Sequence, residues 1–345
     1  MASYFIRRLL LIIPTFIGIT IISFFILQLA PGGPIEIEMM NYRTGNTRDS
    51  ESGTFSKGGS NFEIPESILN EMKKFYGFDK PVHIRYIHWL GNLLTLDLGN
   101  SYTYNNKPVW DLIVSRFPVS LKFGLAGFIL SYLICIPLGV MKAVKNGSKF
   151  DFFTSMIVFI GYSVPGWALG AILLIFFGGG SFWDLFPLGG VVSQNHDSLP
   201  FLNRIWDGAY HMILPVTSYV ISSFAVLTIL TKNSVIETLS QDYIRTAYAK
   251  GLSEKRVLIS HALRNSLIPI ATGLGHFISI VLAGSVLIET VFNIDGIGML
   301  GYKSILSRDY PITMGILVFQ SMLMMIGNIF SDIIYVFVDP RIRFK

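Results

Sequence analysis

Charge is segregated along this chain: long uncharged apolar runs alternate with shorter stretches that hold most of the Asp, Glu, Lys and Arg. A backbone passing through a medium without water must satisfy its own hydrogen bonds, so an apolar run of about 20 residues reads as a helix crossing a bilayer. Six runs qualify, at residues 9–30, 119–141, 152–177, 212–231, 267–292 and 312–338. Charged residues make up 14% of the chain, against about 25% in an ordinary soluble domain. The expected fold class is therefore an all-α membrane protein with six transmembrane helices.

The first run follows Arg7 and Arg8, the arrangement of a signal peptide. It is longer than a usual signal core and ends in Leu29-Ala30-Pro31 without a small-x-small cleavage site, so a retained anchor is expected. Positive charge then orients the chain. With the N-terminus inside, segments 1–8, 142–151, 232–266 and 339–345 carry 14 Lys and Arg, whereas outer loops 178–211 and 293–311 carry three. Both termini are expected in the cytoplasm. Basic residues flanking apolar runs fit anionic headgroups, which makes membrane lipid a partner and nucleic acid not one. The single cysteine, Cys135, lies in an apolar run and reads as a small buried hydrophobe.

Three regions follow: an N-terminal transmembrane helix (1–30), an extracytoplasmic subdomain (31–116) and a five-helix core (117–345) with a cytoplasmic loop at 232–266. Residues 41–62 are rich in Gly, Ser, Asn and Thr and read as a loop. From Pro65 and Glu66 an amphipathic helix is expected, with Ile68, Leu69, Met72 and Phe75 on one face and Gly77 as its stop. Tyr86, Trp89 and Leu90 form a second apolar-aromatic stretch suited to the membrane–water interface. Covering a pore mouth and docking a delivery protein are both open roles for this subdomain.

The 232–266 loop is the most informative segment. Asp242 is placed to cap a helix that stops at Gly251, with Tyr243, Ile244, Ala247 and Tyr248 as its apolar residues and Arg245 and Lys250 elsewhere. A short helix of this kind needs a surface, either the bilayer or a groove on a partner. A second helix is expected from Ser253 and Glu254 through His261, Arg264 and Asn265. No phosphate-cradling G-x-x-x-x-G-K-[ST] loop occurs anywhere in the chain, nor any Gly-Lys pair. If ATP drives this protein, a partner binds it.

Other polar groups in or near the apolar runs are Glu289, His276, Gln320 and Asp332. Glu289 reads as a tie for the outer loop or as a gate. His276 and Gln320 read as interhelical hydrogen-bonding groups or as cavity lining, and Asp332 as an ion-pair or capping group. His83, His88, His196, His211 and His261 are scattered without metal-ligand spacing. Pro137, Pro165, Pro215 and Pro269 are expected to kink their helices, and Gly161, Gly166 and Gly170 to allow close packing.

The segment Tyr243-Ile244-Arg245-Thr246-Ala247, continued by Ala249-Lys250-Gly251-Leu252-Ser253 and His261-Ala262-Leu263-Arg264-Asn265, resembles the cytoplasmic coupling loop of the dipeptide/oligopeptide ABC importer permeases. Against the broader importer pattern only Ala247, Gly251 and Leu263 match. Further familiar stretches are Ala30-Pro31-Gly32-Gly33-Pro34, Tyr76-Gly77-Phe78-Asp79-Lys80-Pro81, Asp97-Leu98-Gly99, Glu289-Thr290-Val291-Phe292, Asp309-Tyr310-Pro311 and Asp339-Pro340-Arg341-Ile342-Arg343. Gly32-Gly33-Pro34, the polar insert after the first run and Leu230-Thr231-Lys232-Asn233-Ser234 resemble the Yej-type subgroup, associated with peptide and microcin C uptake.

The resemblance implies an ABC importer type I permease fold in the bacterial inner membrane. It implies a second homologous permease subunit, ABC ATPase subunits that hold ATP and Mg, a periplasmic peptide-binding protein and a peptide substrate, with no cofactor or catalytic residue in this chain. It implies coupling to the ATPase through Tyr243, Ile244, Arg245, Thr246, Ala247, Lys250, Gly251, Leu252, Ser253, Glu254 and Arg256. Glu289, His276 and Gln320 are the gate or cavity candidates. Two other classes compete: an ion-coupled transporter complete in itself, which the nearly uncharged mid-span positions and the lack of a clear repeat disfavour, and a membrane scaffold, which nothing in the chain requires.

Overall fold

A computed structural model describes residues 2–29, 70, 78–180, 182–270 and 285–338. The expected loop at 41–62, the amphipathic helix from Pro65 to Gly77 apart from residue 70, His276 with the centre of the fifth run, and the Asp339–Arg343 stretch lie outside the described residues. The regular elements among the described residues are helices: α1 (Ala2–Leu29), α2 (Val82–Leu94), α3 (Val109–Val144), α4 (Lys149–Ser163), α5 (Gly166–Phe177), α6 (Phe201–Leu239), α7 (Asp242–Ala249), α8 (Glu254–Arg256), α9 (Leu263–Ser266), α10 (Val286–Val291), α11 (Ile297–Leu306) and α12 (Tyr310–Val338). A π-helical segment, Val257–Ala262, joins α8 to α9.

Among the described residues, α1, α3, α6 and α12 contain helices long and apolar enough to cross a membrane. At 1.5 Å per residue, the 39 residues of α6 reach roughly 58 Å, nearly twice the apolar thickness of a bilayer. Its charged ends, with Arg204 and Asp207 at one and Lys232 and Glu237 at the other, therefore lie outside the membrane.

The third run is not one straight helix. It breaks into α4 and α5, bent by 94°. Pro165 disfavours helical backbone at the residue before it, and Val164 is extended at φ −108° and ψ 122°. Gly166 and Gly170 then bring α5 against α6 and α10. A Cβ on Gly166 would lie 2.7 Å from the Ser218 carbonyl oxygen, and one on Gly170 would lie 2.8 Å from the Phe292 ring. With this pair taken as one span, the described residues hold five candidate spans.

The chain clusters into two compact units. One comprises residues 1–7, 116–300 and 322–345. Its main core joins Phe123 of α3, Leu214, Val216 and Val220 of α6, and Ile288, Phe292 and Ile294 around α10. The other comprises residues 8–115 and 301–321. There Tyr86 is buried against Phe24, with ring centroids 5.4 Å apart, and its hydroxyl meets Thr20 Oγ1 at 3.1 Å. Tyr86, expected at the membrane surface, is thus a core residue: α2 turns one face onto α1 and leaves Ile84 and Ile87 exposed.

Asp309 organises this second unit. Its buried carboxylate accepts hydrogen bonds from Ser101 Oγ (2.6 Å), Thr103 Oγ1 (2.7 Å) and Thr103 N (2.9 Å). Asp309 immediately precedes α12 and also accepts from Ile312 N at 3.4 Å, so it caps that helix while fixing the turn before α3.

Candidate functional site

α7 and the turn after it form the candidate site. Gln241, not Asp242, is the N-cap residue, and Asp242 opens the first turn with its carboxylate exposed. A negative charge there still suits the helix dipole. The apolar face is narrower than expected. Ile244 and Ala247 are buried, whereas Tyr243 and Tyr248 are exposed. Positions three apart share a helix face, and this pair faces inward. Ile244 and Ala247 pack with Val257 and Ala262 of the π segment, flanked by Leu239, Leu252 and Leu258. The surface that the short helix needed is its own chain.

The π geometry explains two of these contacts. Val257 and Ala262 are five residues apart, which an α-helix would turn to different sides. Hydrogen bonding from i to i+5 stacks them on one side, and both are fully buried.

The turn that ends α7 has a specific geometry. Gly251 sits at φ +77°. Its N–H donates to the Tyr248 carbonyl (2.9 Å), and the Leu252 N–H donates to the Ala247 carbonyl (3.3 Å). These are the two bonds of a Schellman motif, completed by the apolar contact of Leu252 with the α7 core. A Cβ on Gly251 would meet nothing within 4 Å, so backbone conformation alone selects glycine there.

The segment therefore divides. Ile244, Ala247 and Leu252 face the chain's own interior, while Tyr243, Arg245, Thr246, Tyr248, Lys250, Gly251, Ser253, Glu254 and Arg256 are exposed. The Arg245 side chain is 77% exposed and approaches Asp242 at 3.5 Å. Asn265 Nδ2 donates to Tyr243 Oη at 2.8 Å, holding the ring beside the second helix. What the loop presents outward is a polar, cationic and aromatic face on a rigid base.

An ion cluster at the near end of α6 carries no sequence signature beyond its charges. The Asp151 carboxylate accepts two hydrogen bonds from Lys232 Nζ (2.9 and 2.7 Å) and one from the Gly147 amide (3.1 Å), and Lys142 Nζ lies 3.1 Å away. Lys142 also donates to Thr154 Oγ1 and Ser155 Oγ, and its side chain is 1% exposed. Burial works against the Asp151 charge. Hydrogen bonds from Lys232, Gly147 and Lys142 outweigh it and bring the carboxyl down to about 2. The cluster ties α3, α4 and α6 together just before the loop begins. Its signal in the sequence was two lysines and one aspartate beside a Gly-Ser turn.

Glu289 is fully enclosed. Oε1 accepts from Ser120 Oγ at 2.7 Å and Oε2 from Met299 N at 2.9 Å, while Ser120 Oγ accepts in turn from Ile297 N at 2.8 Å. Its carboxylate thus satisfies the first turn of α11. Gly296 makes room, since a Cβ there would lie 2.5 Å from Oε2. Gln320 is partly buried on α12, and His276 lies outside the described residues.

The histidines are less scattered than their spacing suggested. His196 Nδ1 meets Asp207 Oδ2 at 2.7 Å, and His211 Nδ1 lies 3.4 Å from Asp207 Oδ1 and 2.9 Å from the Asp207 carbonyl. Ser193 donates to the same carboxylate through both N and Oγ. Burial opposes the Asp207 charge, but the Ser193 and His196 hydrogen bonds prevail and bring it to about 2. No group of His, Cys, Asp and Glu suited to a metal ion occurs among the described residues.

A multi-pass helical bundle with a short clamped helix whose polar face points outward fits a membrane transport subunit. Residues 135–344 match the family described as binding-protein-dependent transport system inner membrane component, and the chain belongs to that family. It is a permease subunit and not an enzyme. Over the full length of both chains it is 42% identical to the inner membrane ABC transporter permease protein YejB of Escherichia coli O157:H7. It is also 42% identical to the peptidoglycan transport system permease protein YejB of Agrobacterium fabrum, across all of this chain and 99% of that one. The oligopeptide transport system permease protein AppB of Bacillus subtilis is 37% identical over the full length of both. A solved chain from the inward-facing MetNI methionine ABC transporter shares the fold at 16% identity, with a TM-score of 0.53 over 68% of this chain and 99% of that chain.

Proposed function

We propose that this chain is one of two permease subunits of an ATP-driven peptide importer, with the fifth run completing six spans and both termini in the cytoplasm. The observation that carries the reading is the division of the α7 loop. Its apolar residues are consumed by the chain's own core, and an exposed face bearing Tyr243, Arg245, Tyr248 and Lys250 remains for a partner. The chain has no phosphate loop, so ATP and Mg belong to that partner, an ABC ATPase. Peptides as substrates are supported by relatives named for peptidoglycan and oligopeptide transport. Microcin C is a candidate within that class.

In this reading ATP closes two ATPase subunits on each other, and each carries a coupling helix with it. The rigid base beneath α7 passes that displacement to α6 through Leu239 and Val257. The permease pair alternates between inward- and outward-open states, and a periplasmic binding protein delivers peptide. Nucleotide state and pore state bias each other reciprocally. The test is ATP hydrolysis by the full complex in proteoliposomes, with and without loaded binding protein. Substituting Arg245 should leave assembly intact and abolish peptide-stimulated hydrolysis. Peptide uptake by this chain without any ATPase would sink the reading.

A further inference from the structure

The unit containing α2 carries an open-sided cavity of about 560 Å³ that the transport reading does not use. Its size is that of an ordinary small-ligand pocket, for which about 300–1,000 Å³ is usual. Arg85 reaches into it from α2. The guanidinium lies over the Phe78 ring at 4.6 Å, and one terminal nitrogen donates to Gln28 Oε1 at 2.8 Å. Its Nε is buried and has no hydrogen-bond partner. Burial disfavours the Arg85 charge, an effect that Tyr102 and Asp79 nearby oppose. The guanidinium at the cavity wall thus has donor capacity that its protein contacts do not use up.

The position of the cavity narrows what fills it. Phe24, Leu27 and Gln28, from the last turns of α1, line one wall. On those same turns Phe25, Ile26 and Leu29 are exposed, the flank that meets lipid tails. The apolar run of α1 ends there, so the cavity lies at the level of the headgroups. Trp89, a residue suited to that level, lines it as well. The remaining charged groups are mixed: Lys80 joins Arg85, while Asp79 and Asp97 supply negative charge. A purely anionic ligand would meet those carboxylates, whereas a ligand with a phosphate and an ammonium a few bonds apart satisfies both sets.

We propose that this cavity holds the headgroup of a zwitterionic phospholipid, its phosphate on Arg85 and Lys80 and its ammonium toward Asp79 and Asp97, with its acyl chains along the exposed flank of α1. The site is independent of what the protein transports.

The test uses the full chain in its complex, purified in mild detergent, washed free of loose lipid and examined by native mass spectrometry with added phosphatidylethanolamine. Wild type should retain the lipid, and Arg85→Gln should retain about tenfold less, the effect of losing one charge-assisted contact. Because Arg85 also contacts Phe78 and Gln28, Lys80→Gln serves as a second variant. Its side chain is exposed, and it should lower retention about threefold without lowering the melting temperature. Retention equal to wild type in both variants overturns the proposal. So does an equal loss in Leu11→Ala, on the same exposed flank of α1 but away from the cavity, because the lipid would then be an unspecific annulus. Equal retention of phosphatidylglycerol, which has no ammonium, overturns the zwitterionic assignment. Inorganic phosphate that stabilises wild type but not Arg85→Gln, with no lipid retained, assigns the site to a free anion and overturns the lipid.

Discussion

The α7 loop and the Glu289 cluster solve opposite problems. Around Glu289 every polar group turns inward: the carboxylate, the Ser120 hydroxyl and the first amides of α11 satisfy one another out of contact with water. In the α7 loop the apolar groups turn inward, and the polar ones stay exposed with few contacts beyond the loop itself. The first arrangement is costly to disturb and has nothing to offer a partner. The second tolerates change on its outer face and has much to offer. Substitutions that matter most for stability should therefore matter least specifically for energy coupling, and the reverse.

That contrast can be broken by experiment. The largest stability loss is expected at Asp151, whose removal leaves Lys142 buried beside Lys232 with no counter-charge. Asp151→Ala should cost about 3 kcal/mol or more, read as a lowered melting temperature of the purified complex. Glu289→Gln should follow at about 2 kcal/mol, because an amide has one accepting oxygen where Ser120 and Met299 both donate. Gly251→Ala should cost about 1 kcal/mol through its left-handed backbone. It should also reduce coupling of hydrolysis to uptake more than Glu289→Gln does per degree of melting temperature lost. Arg245→Ala should leave the melting temperature unchanged and have the greatest effect on coupling. If Arg245→Ala destabilises the complex as much as Glu289→Gln, the two regions are not opposites.

A smaller effect is expected from acid. Asp151 and Asp207 both fall from the ordinary 3.8 to about 2 in the folded chain. A depressed carboxyl stabilises the fold above its unfolded value, and that contribution disappears as pH falls through the folded one. Melting temperatures should therefore drop between pH 4 and pH 2. Asp207→Asn should flatten part of that drop and leave hydrolysis coupling untouched.

The sequence was legible where the cause is local. Helices α1, α3, α6 and α12 follow from uncharged runs that leave the backbone no other choice. Gly251 reads as a stop, and its left-handed geometry is the reason. Pro165 announced a kink, but the 94° bend also needs Gly166 and Gly170 to sit against Ser218 and Phe292, which lie far along the chain. Asp242 looked like a cap because its residue type favours one, yet the extended backbone falls one position earlier, at Gln241. Tyr243 and Tyr248 looked apolar by composition, and the packed stripe of a two-turn helix proved too narrow to include them. The partners of Glu289 and Asp309 could not be read. Ser120 lies 169 residues from Glu289 and Ser101 lies 208 from Asp309, and no periodicity spans such distances.

The wide turn at Val257–Ala262 has a consequence for length. Removing one residue between Val257 and Ala262, such as the exposed Ser260, would put those two four apart, which is again one face of an ordinary α-helix. The packing under α7 would then survive a shorter chain. This stretch should accept a single-residue deletion, whereas the Gly251 turn, where each hydrogen bond counts residues, should accept none.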